Sequence, residues 1–222
     1  MIKEDIHPRA SLTTPRAAAI AGILFSVLLL ISLVLIKLSV PANPQAEGNW
    51  LADNSAKVSL ALNLIPFSGI AFLWFIGVIR DRLGSSEDRF FSTVFLGSGL
   101  LFLAMLFTSS GVAGSVISLY GINPDSFINS GTYALGRTIV FMIMTVYTMK
   151  MAGVFMISTS TLSIRTGIIP RWMAYLGIGL ALFLLLSMSF FDWASLLFPM
   201  WVLLISIHIL WSNLKTNMKV SL

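Results

Sequence analysis

The sequence predicts an all-α membrane protein, a polytopic bundle of six transmembrane helices in a single domain that covers residues 1–222. Of its 222 residues, 57% are hydrophobic and 10% are charged, whereas soluble domains are about 45–50% apolar and about 25% charged. Six apolar runs reach the roughly 20 helical residues that cross a hydrocarbon core of about 30 Å. The runs cover residues 17–40, 57–79, 90–118, 133–163, 172–191 and 194–212.

The first run begins at a well-marked helix start. Thr14 suits the N-cap position and Pro15 the first helical position, where the missing amide hydrogen has no partner to lose. Arg9 and Arg16 precede the run, as basic residues precede a secretory signal. Its apolar core of about 20 residues exceeds the 7–15 residues of such a signal, so we expect an uncleaved transmembrane helix.

The second run contains two interruptions, Asn63 and Pro66. Proline removes a helical hydrogen bond and crowds the carbonyl group of Leu62, which predicts a kink. Two interpretations follow. Either the freed carbonyl group and Asn63 line a polar pocket, or neighbouring helices satisfy the kinked backbone. Asn63 is therefore a candidate ligand-binding residue, and Pro66 is a candidate structural or gating residue.

The third run carries small residues at four-residue spacing, namely Ser110, Gly114 and Ser118, with Gly97, Gly99 and Gly111 nearby. Small side chains let helix backbones approach closely within a membrane. The spacing predicts packing against another helix of the same chain, and a dimer interface is the alternative.

The fourth run holds two full charges, Arg137 and Lys150, while none of the nine carboxylates falls inside any predicted run. An ionised side chain at bilayer depth costs about 3 kcal/mol on insertion scales, so it is usually buried against protein, hydrated or functional. For Arg137 the alternative is anchoring to headgroups or to Asp125. Lys150 either snorkels to the membrane boundary or lies near the midplane.

These two cations predict an anionic ligand. They lie about 220° apart around an ideal helix, so they occupy different faces and form no voltage-sensing ladder. Arg137 shares its face with hydroxyl groups, and unpaired cations beside hydroxyls suit a lipid headgroup or a small anionic solute. The absence of Asp and Glu from the runs argues against a proton relay. The hydroxyl residues are Thr145, Thr148 and Thr159.

The last two runs add one candidate, His208, which either contacts a ligand or hydrogen-bonds a neighbouring helix. The chain has no cysteine and two histidines, which excludes Cys-ligated zinc, iron–sulfur clusters and an all-histidine metal site. We predict no metal and no cofactor. No G-x-S-x-G, H-E-x-x-H or phosphate-binding loop occurs, so we predict no catalytic residue and no enzyme activity.

The basic residues predict the orientation. Ten of the 14 lie on one side of the predicted spans, and the positive-inside rule places that side, with both termini, in the cytoplasm. The opposite loops hold only Lys37 and Lys57, near span ends. Because the basic residues flank spans and do not form a patch with interleaved aromatics, we expect no nucleic-acid partner. The ten are Lys3, Arg9, Arg16, Arg80, Arg82, Arg89, Arg165, Arg171, Lys215 and Lys219.

The connection between the second and third runs reads Gly77-Val-Ile-Arg80-Asp81-Arg82-Leu-Gly84. It is similar to the G-x-x-x-D-R-x-G signature that major facilitator transporters carry between their second and third helices. The likeness implies a structural or gating role for Asp81 and Arg82 at an inward gate. Ser85 and Ser86 replace the basic pair that follows in that family, and six spans are half of such a transporter.

The chain as a whole resembles small six-span bacterial membrane proteins of unknown function. The likeness lies in its length, in the entry Pro15-Arg-Ala-Ala-Ala-Ile-Ala-Gly22 and in the turn Arg165-Thr-Gly-Ile-Ile-Pro170-Arg171-Trp172. It implies a bacterial cytoplasmic membrane and transfers no activity.

The predicted function is non-enzymatic binding or transport of a small amphipathic or anionic molecule, with the lipid bilayer and that ligand as partners. The alternative is an accessory or scaffold subunit, as a homo-oligomer or against a partner membrane subunit. A membrane-embedded lipid-modifying enzyme is the third candidate. The candidate ligand-binding residues are Lys150, Arg137, Asn63 and His208.

Overall fold

The computed structural model is all α within the residues that it describes, 14–43, 45–83, 89–167, 169–186 and 193–220. A π-helical turn, Ile143–Thr148, joins α5 to α6, and a 3₁₀ turn, Ala194–Leu196, precedes α8. The described ranges contain no strand, which confirms the all-α class. The helices are α1 (Thr14–Ser39), α2 (Trp50–Leu83), α3 (Arg89–Ile122), α4 (Pro124–Ile128), α5 (Gly131–Met142), α6 (Met149–Thr166), α7 (Arg171–Leu186) and α8 (Leu197–Val220).

Five helical stretches are long and apolar enough to cross a membrane. They coincide with the first four predicted runs and the sixth. The fifth predicted run, 172–191, overlaps α7, whose 16 described residues rise about 24 Å, and residues 187–191 lie outside the described part. The five stretches are Ala17–Ser39, Trp50–Arg80, Thr93–Ile122, Gly131–Thr166 and Ala194–Leu214.

α2 begins at Trp50, seven residues before the run that hydropathy predicts at 57. Asp53 and Lys57 lower the mean hydropathy of the first two turns, although both side chains lie on the exposed face of the helix. The opposite face of the same turns is buried through Leu51 and Val58. The helix then continues through Pro66 to Leu83.

The bundle has two distinguishable ends. The connection end holds the link between α1 and α2, residues 40–49, together with α4. The terminal end is where α1 begins and α8 ends. α1 packs most extensively on α2 and α8, and α6 packs on α7 and α3.

A group of phenylalanines from five helices fills the middle of the bundle. Every ring in this phenylalanine cluster is fully buried. Phe72 lies at its centre, with ring centroids 4.5 Å from Phe25, 5.1 Å from Phe155 and 5.3 Å from Phe102. Offset and edge-to-face ring pairs of this kind stabilise a core beyond their buried area. The cluster consists of Phe25, Phe72, Phe75, Phe95, Phe102, Phe155 and Phe198.

Two glycines allow close helix approach. A Cβ atom on Gly22 would collide with Ser206 and Phe75, and one on Gly177 would collide with Ser160 and Trp201. The small residues at four-residue spacing in the third predicted run, Ser110, Gly114 and Ser118, do not all lie at such close crossings.

Within that row, a Cβ atom on Gly114 would meet nothing within 4 Å, and Ser118 is exposed. The predicted packing inside the chain is therefore wrong for Gly114 and Ser118, whereas the nearby Gly99 does pack closely, because a Cβ atom there would collide with Ile76. The third member, Ser110, lines the cavity described next.

Candidate functional site

A cavity of about 210 Å³ lies between the connection end and the phenylalanine cluster. Its wall on α2 runs from Trp50 to Ile65, which is about 22 Å at helical rise, so the cavity is long and narrow. Most of the wall is aliphatic. The aliphatic residues include Leu33, Ile36, Val58, Leu62, Ile65, Leu106, Val116, Val140 and Leu184.

Arg137 is the charged residue at the connection end of this wall. It lies in the second turn of α5 and is 9% exposed. Its Nη2 atom donates to the carbonyl oxygen of Pro41 at 2.6 Å and to that of Asn43 at 3.3 Å. Its guanidinium carbon lies 5.4 Å from the centre of the Trp50 ring, a cation–π distance. The recorded partners are two carbonyl groups, the Trp50 ring and the Tyr133 side chain, and the predicted anchor Asp125 is not among them.

Further hydrogen bonds near Arg137 hold the connection, residues 40–49, over the cavity. Trp50 Nε1 donates to Tyr133 Oη at 3.1 Å, and Tyr133 Oη donates to the carbonyl oxygen of Ala46 at 3.1 Å. Together with the Arg137 bonds, these contacts attach residues 41–46 to α5. Pro41 and Ala42 form part of the cavity wall, so the connection is its cover.

Two polar atoms in the cavity wall have no hydrogen-bond partner among the described residues. They are Arg137 Nε and Ser195 Oγ, both buried. Ser160 Oγ and Ser206 Oγ are also buried without a partner, but each of these packs against a glycine at a close helix crossing. Arg137 and Ser195 are wall residues, but these two atoms have almost no accessible surface and do not themselves face the empty space.

Ser195 lies toward the deep end of the cavity. It precedes Phe198 by three residues, and the Phe198 ring packs against the phenylalanine cluster, 4.8 Å from Phe102 and 5.8 Å from Phe25. Arg137, bonded to the carbonyl group of Pro41, lies at the opposite, connection end. The two unpaired polar groups thus mark the two ends of an apolar cavity.

The π-helical turn forms part of the wall midway. Thr148 Oγ1 donates to the carbonyl oxygen of Ile143, five residues earlier, at 2.8 Å, and the turn contributes Met144 and Thr145 to the wall. π-turns often occur at functional sites. Because such a turn adds a residue to the helix, the 220° offset calculated for Arg137 and Lys150 does not hold across it.

The other predicted site residues lie elsewhere. Lys150 and His208 are half-buried and Asn63 is exposed, and the cavity wall includes none of these three. Pro66 is also exposed. Asp81 and Arg82 belong to the last turn of α2, but their side chains lie outside the described residues. Of the four candidate ligand-binding residues, only Arg137 lines the cavity.

Sequence reasoning did not single out Lys37, Trp50 and Ser195 as part of this wall. Lys37 carried a signal, because it is a cation at the end of the chain's spans that the sequence predicts to lie outside the cytoplasm, where the positive-inside rule disfavours cations. Ser195 carried none, because it is a single serine in the short turn before α8. Its position depends on contacts between distant parts of the chain.

No group of three or more His, Asp or Glu side chains that could hold a metal gathers among the described residues. Two cations and an aliphatic surface are suited to an anion with an apolar body. Comparisons with family models, with curated proteins and with solved structures find no match for this chain.

Proposed function

We propose that the protein binds a small amphipathic anion in the cavity beneath the 40–49 connection, without converting it chemically. The observation that carries the proposal is Arg137, a 9% exposed cation in a mostly aliphatic cavity wall. Its recorded partners are two carbonyl oxygens, an aromatic ring and the Tyr133 side chain, and no carboxylate is among them. An anion in the cavity near the guanidinium group would supply the opposite charge.

The rest of the wall supports an amphipathic ligand over a simple inorganic ion. Beyond the connection end the lining is mostly Leu, Ile and Val, which favours apolar surface at about 25 cal/mol per Å² removed from water. Lys37, half-buried in the last turn of α1, adds positive potential near the same end. The second cation raises the local concentration of anions.

The membrane setting completes the proposal. α7 serves as the sixth span, and both termini lie in the cytoplasm of a bacterial cell. Arg80, Arg89, Arg165 and Arg171 all lie at helix ends on the terminal side, which supports this orientation under the positive-inside rule. The cavity then lies in the outer half of the cytoplasmic membrane, and the connection faces the outside.

Binding is favoured over transport by the phenylalanine cluster. Seven fully buried rings lie between the cavity and the terminal end. Passage across the membrane would require these rings to separate, whereas binding from the outer side requires only movement of the cover. The protein is therefore proposed to hold its ligand as a receptor or carrier does.

Ligand-dependent stability tests the proposal. Purified protein in a non-ionic detergent is heated with and without decanoate, and the shift of the unfolding midpoint is measured. At a concentration a hundredfold above Kd, binding adds about 2.7 kcal/mol of stability. Ala113→Phe fills the wall of α3 and should abolish the shift. Ala56→Phe, the same change at an exposed position of α2, should retain it.

Arg137→Gln provides the second variant. It should lower the decanoate shift and leave any shift caused by decanol unchanged, because the alcohol has no charge for the guanidinium. Equal decanoate shifts in wild type, Ala113→Phe and Arg137→Gln would exclude this cavity as the binding site.

A scaffold role is the second candidate function, and one face of α3 favours it. Gly111 and Gly114 have open space where a Cβ atom would lie, and Ser115 and Ser118 are exposed beside them. Small residues of this kind allow close packing of helices from separate chains in membranes. Disulfide cross-linking of Ser115→Cys in native membranes tests for a second chain at this face.

A further inference from the structure

We infer that the ligand enters the cavity sideways from the outer leaflet of the membrane, so that it is an anionic amphiphile dissolved in the lipid phase. This inference rests on the proposed function and adds the source of the ligand and its route into the same cavity. The opening that we assign to this route, the lateral window, lies between α1 and α5. It is bounded by the 40–49 connection on one side and by the 3₁₀ turn before α8 on the other.

The phenylalanine cluster is a common level from which the reach of each helix can be measured. Rings from α1, α2, α3, α6 and α8 meet there. At helical rise, Lys37 lies about 18 Å beyond Phe25, and Arg137 lies about 25 Å beyond Phe155. α1 and α5 therefore extend far beyond the cluster toward the connection end.

The pair of α7 and α8 is much shorter on this side of the cluster. Trp193, just before the 3₁₀ turn, lies about 8 Å beyond Phe198 at helical rise. A Cβ atom on Gly153 would contact the carbonyl oxygen of Ala181. That contact places Leu186, the last residue of α7, about 10 Å beyond the cluster. Within the described residues, this pair therefore ends well short of the ends of α1 and α5.

α1 and α5 form the two sides of the lateral window. α1 packs on α2 and α8, α5 packs on α3, and no extensive packing joins α1 to α5 in the described part of the chain. The cavity is half open, and Ile36, Lys37 and Phe141 line it from these two sides. All three are half-buried. The gap between α1 and α5, beyond the end of the α7–α8 pair, is therefore the side on which we place the opening.

The height of the window matches the outer leaflet. On the terminal side, Arg80 lies about 12 Å and Arg165 about 15 Å from the cluster at helical rise. In the proposed orientation these arginines mark the inner edge of the hydrocarbon core. A core of about 30 Å then ends about 15–18 Å beyond the cluster on the connection side, at the height of Lys37. The part of the window nearest the cluster thus faces hydrocarbon.

An amphiphile keeps the same depth and direction when it moves from the leaflet into the cavity. Lys37 and Arg137 lie at or beyond the outer edge of the core, at the height of headgroups, and the wall toward the cluster is mostly aliphatic. A charged group at the surface with its chain toward the midplane is also the arrangement of a leaflet lipid. Lateral entry keeps the chain out of water, which a route through the cover does not. The cover stays closed on this route.

Intrinsic fluorescence measures entry. Trp50 and Trp193 line the cavity, so 10-bromodecanoate should quench them when it binds. Wild type in phosphatidylcholine nanodiscs is mixed with this ligand in a stopped-flow instrument. The quenching that remains in Ala113→Phe, whose cavity is filled, is subtracted as background from ligand in the lipid.

Locking the cover tests the route. The chain has no cysteine, and a Cβ atom on Gly48 would lie 2.9 Å from Cγ1 of Ile128. Gly48→Cys with Ile128→Cys therefore suits a disulfide between the connection and α4. The oxidised pair should bind and release 10-bromodecanoate at the rates of the reduced pair, which is the matched control. Slower exchange after oxidation would overturn the inference.

Narrowing the window should have the opposite result. Ala194, half-buried in the cavity wall, lies at the edge nearest the cluster. Ala194→Trp should slow both association and dissociation about tenfold, because the chain must pass an overfilled gap. Ala56→Trp, at an exposed position of α2, should keep the wild-type rates. Wild-type rates in a folded Ala194→Trp variant would overturn the inference.

A spin label gives a second measurement if Ala194→Trp does not fold or bind. A nitroxide is attached to Ala194→Cys and, as a control at similar height, to Phe67→Cys, where the native side chain is 62% exposed. Oxygen, which dissolves in hydrocarbon, should relax both labels, and a water-soluble nickel chelate should relax neither. Decanoate should shield only the label on Ala194→Cys. Access of the chelate to that label, or no access of oxygen, would overturn the inference.

The outcomes separate the route from the proposed function. If 10-bromodecanoate quenches wild type and Ala113→Phe equally, the ligand does not occupy this cavity and both proposals are wrong. If quenching requires the open cavity but the disulfide slows exchange, the proposed function stands and the lateral route is wrong.

Discussion

The two halves of this bundle are packed by different side chains. In the middle and toward the terminal end, seven fully buried phenylalanines interlock, and the cavity found beside Ile79, Thr159 and Ile205 measures only about 10 Å³. Toward the connection end the same helices carry aliphatic, alanine and serine residues, and about 210 Å³ stays empty. The region around the phenylalanines is a packed core, and the region toward the connection end encloses the cavity.

The difference arises within single helices. On α3, Phe95 and Phe102 lie in the cluster, whereas Ser109, Ser110 and Ala113 line the cavity about two to three turns beyond Phe102. Protein interiors normally reach the density of organic crystals, and one larger side chain at Ala113 would fill much of the space. The open space beside a buried cation is the observation on which the proposed binding rests.

The largest expected effect is in the core. Phe72→Ala should lower the free energy of unfolding by about 3–5 kcal/mol, because the ring contacts the surrounding phenylalanines and leaves a cavity when it is removed. Reversible unfolding in mixed micelles measures the change. Phe67→Ala, on the 62% exposed Phe67 of the same helix, is the control. A similar loss in both variants would contradict the assignment of the cluster as the core.

A smaller effect is expected at the cover. Arg137→Gln removes the bonds to the carbonyl groups of Pro41 and Asn43 and should cost about 1.5–3 kcal/mol. Hydrogen exchange should accelerate in residues 41–49 and stay unchanged around the phenylalanine cluster. Arg165→Gln, at an exposed arginine of the terminal end, should leave exchange in the connection unchanged. Uniform acceleration through all helices would show that Arg137 supports the whole fold and not the cover alone.

Helix crossings in the core half should tolerate little change. Gly22→Ala places a methyl group against Ser206 and Phe75 and should destabilise by about 1–3 kcal/mol. Gly97→Ala, at a helical position of α3 with open space, should stabilise by about 0.5–1 kcal/mol through the higher helix propensity of alanine. Thermal unfolding of the two variants should therefore shift in opposite directions, and shifts in the same direction would contradict the close α1–α8 crossing.

The smallest expected effect concerns a single hydroxyl group. Tyr133→Phe removes the acceptor for Trp50 Nε1 and the donor to Ala46, and should cost about 0.5–1.5 kcal/mol. The fluorescence of Trp50 should change, because its indole loses its bonded partner. If exchange in residues 41–49 remains at the wild-type rate, the Tyr133 bonds do not hold the cover.

Hydropathy predicted five of the long helices because apolar length alone decides whether a segment can span a membrane. It missed the first turns of α2, because the charged Asp53 and Lys57 lower the mean hydropathy of turns whose opposite face is buried. It also gave no sign of the π-turn at Ile143–Thr148. A charge in an apolar run identified Arg137, but the same criterion selected Lys150, which lies outside the wall. Helices that are apolar on every face do not reveal which side meets lipid and which meets protein.

The most direct test of the account is a crystal structure with 10-bromodecanoate, in which anomalous scattering locates the bromine atom at the end of the chain. We predict a bromine peak inside the cavity, toward Leu106, with the carboxylate toward the guanidinium group of Arg137. A cavity without ligand density, with bromine peaks only on lipid-facing helix surfaces, would contradict the central claim.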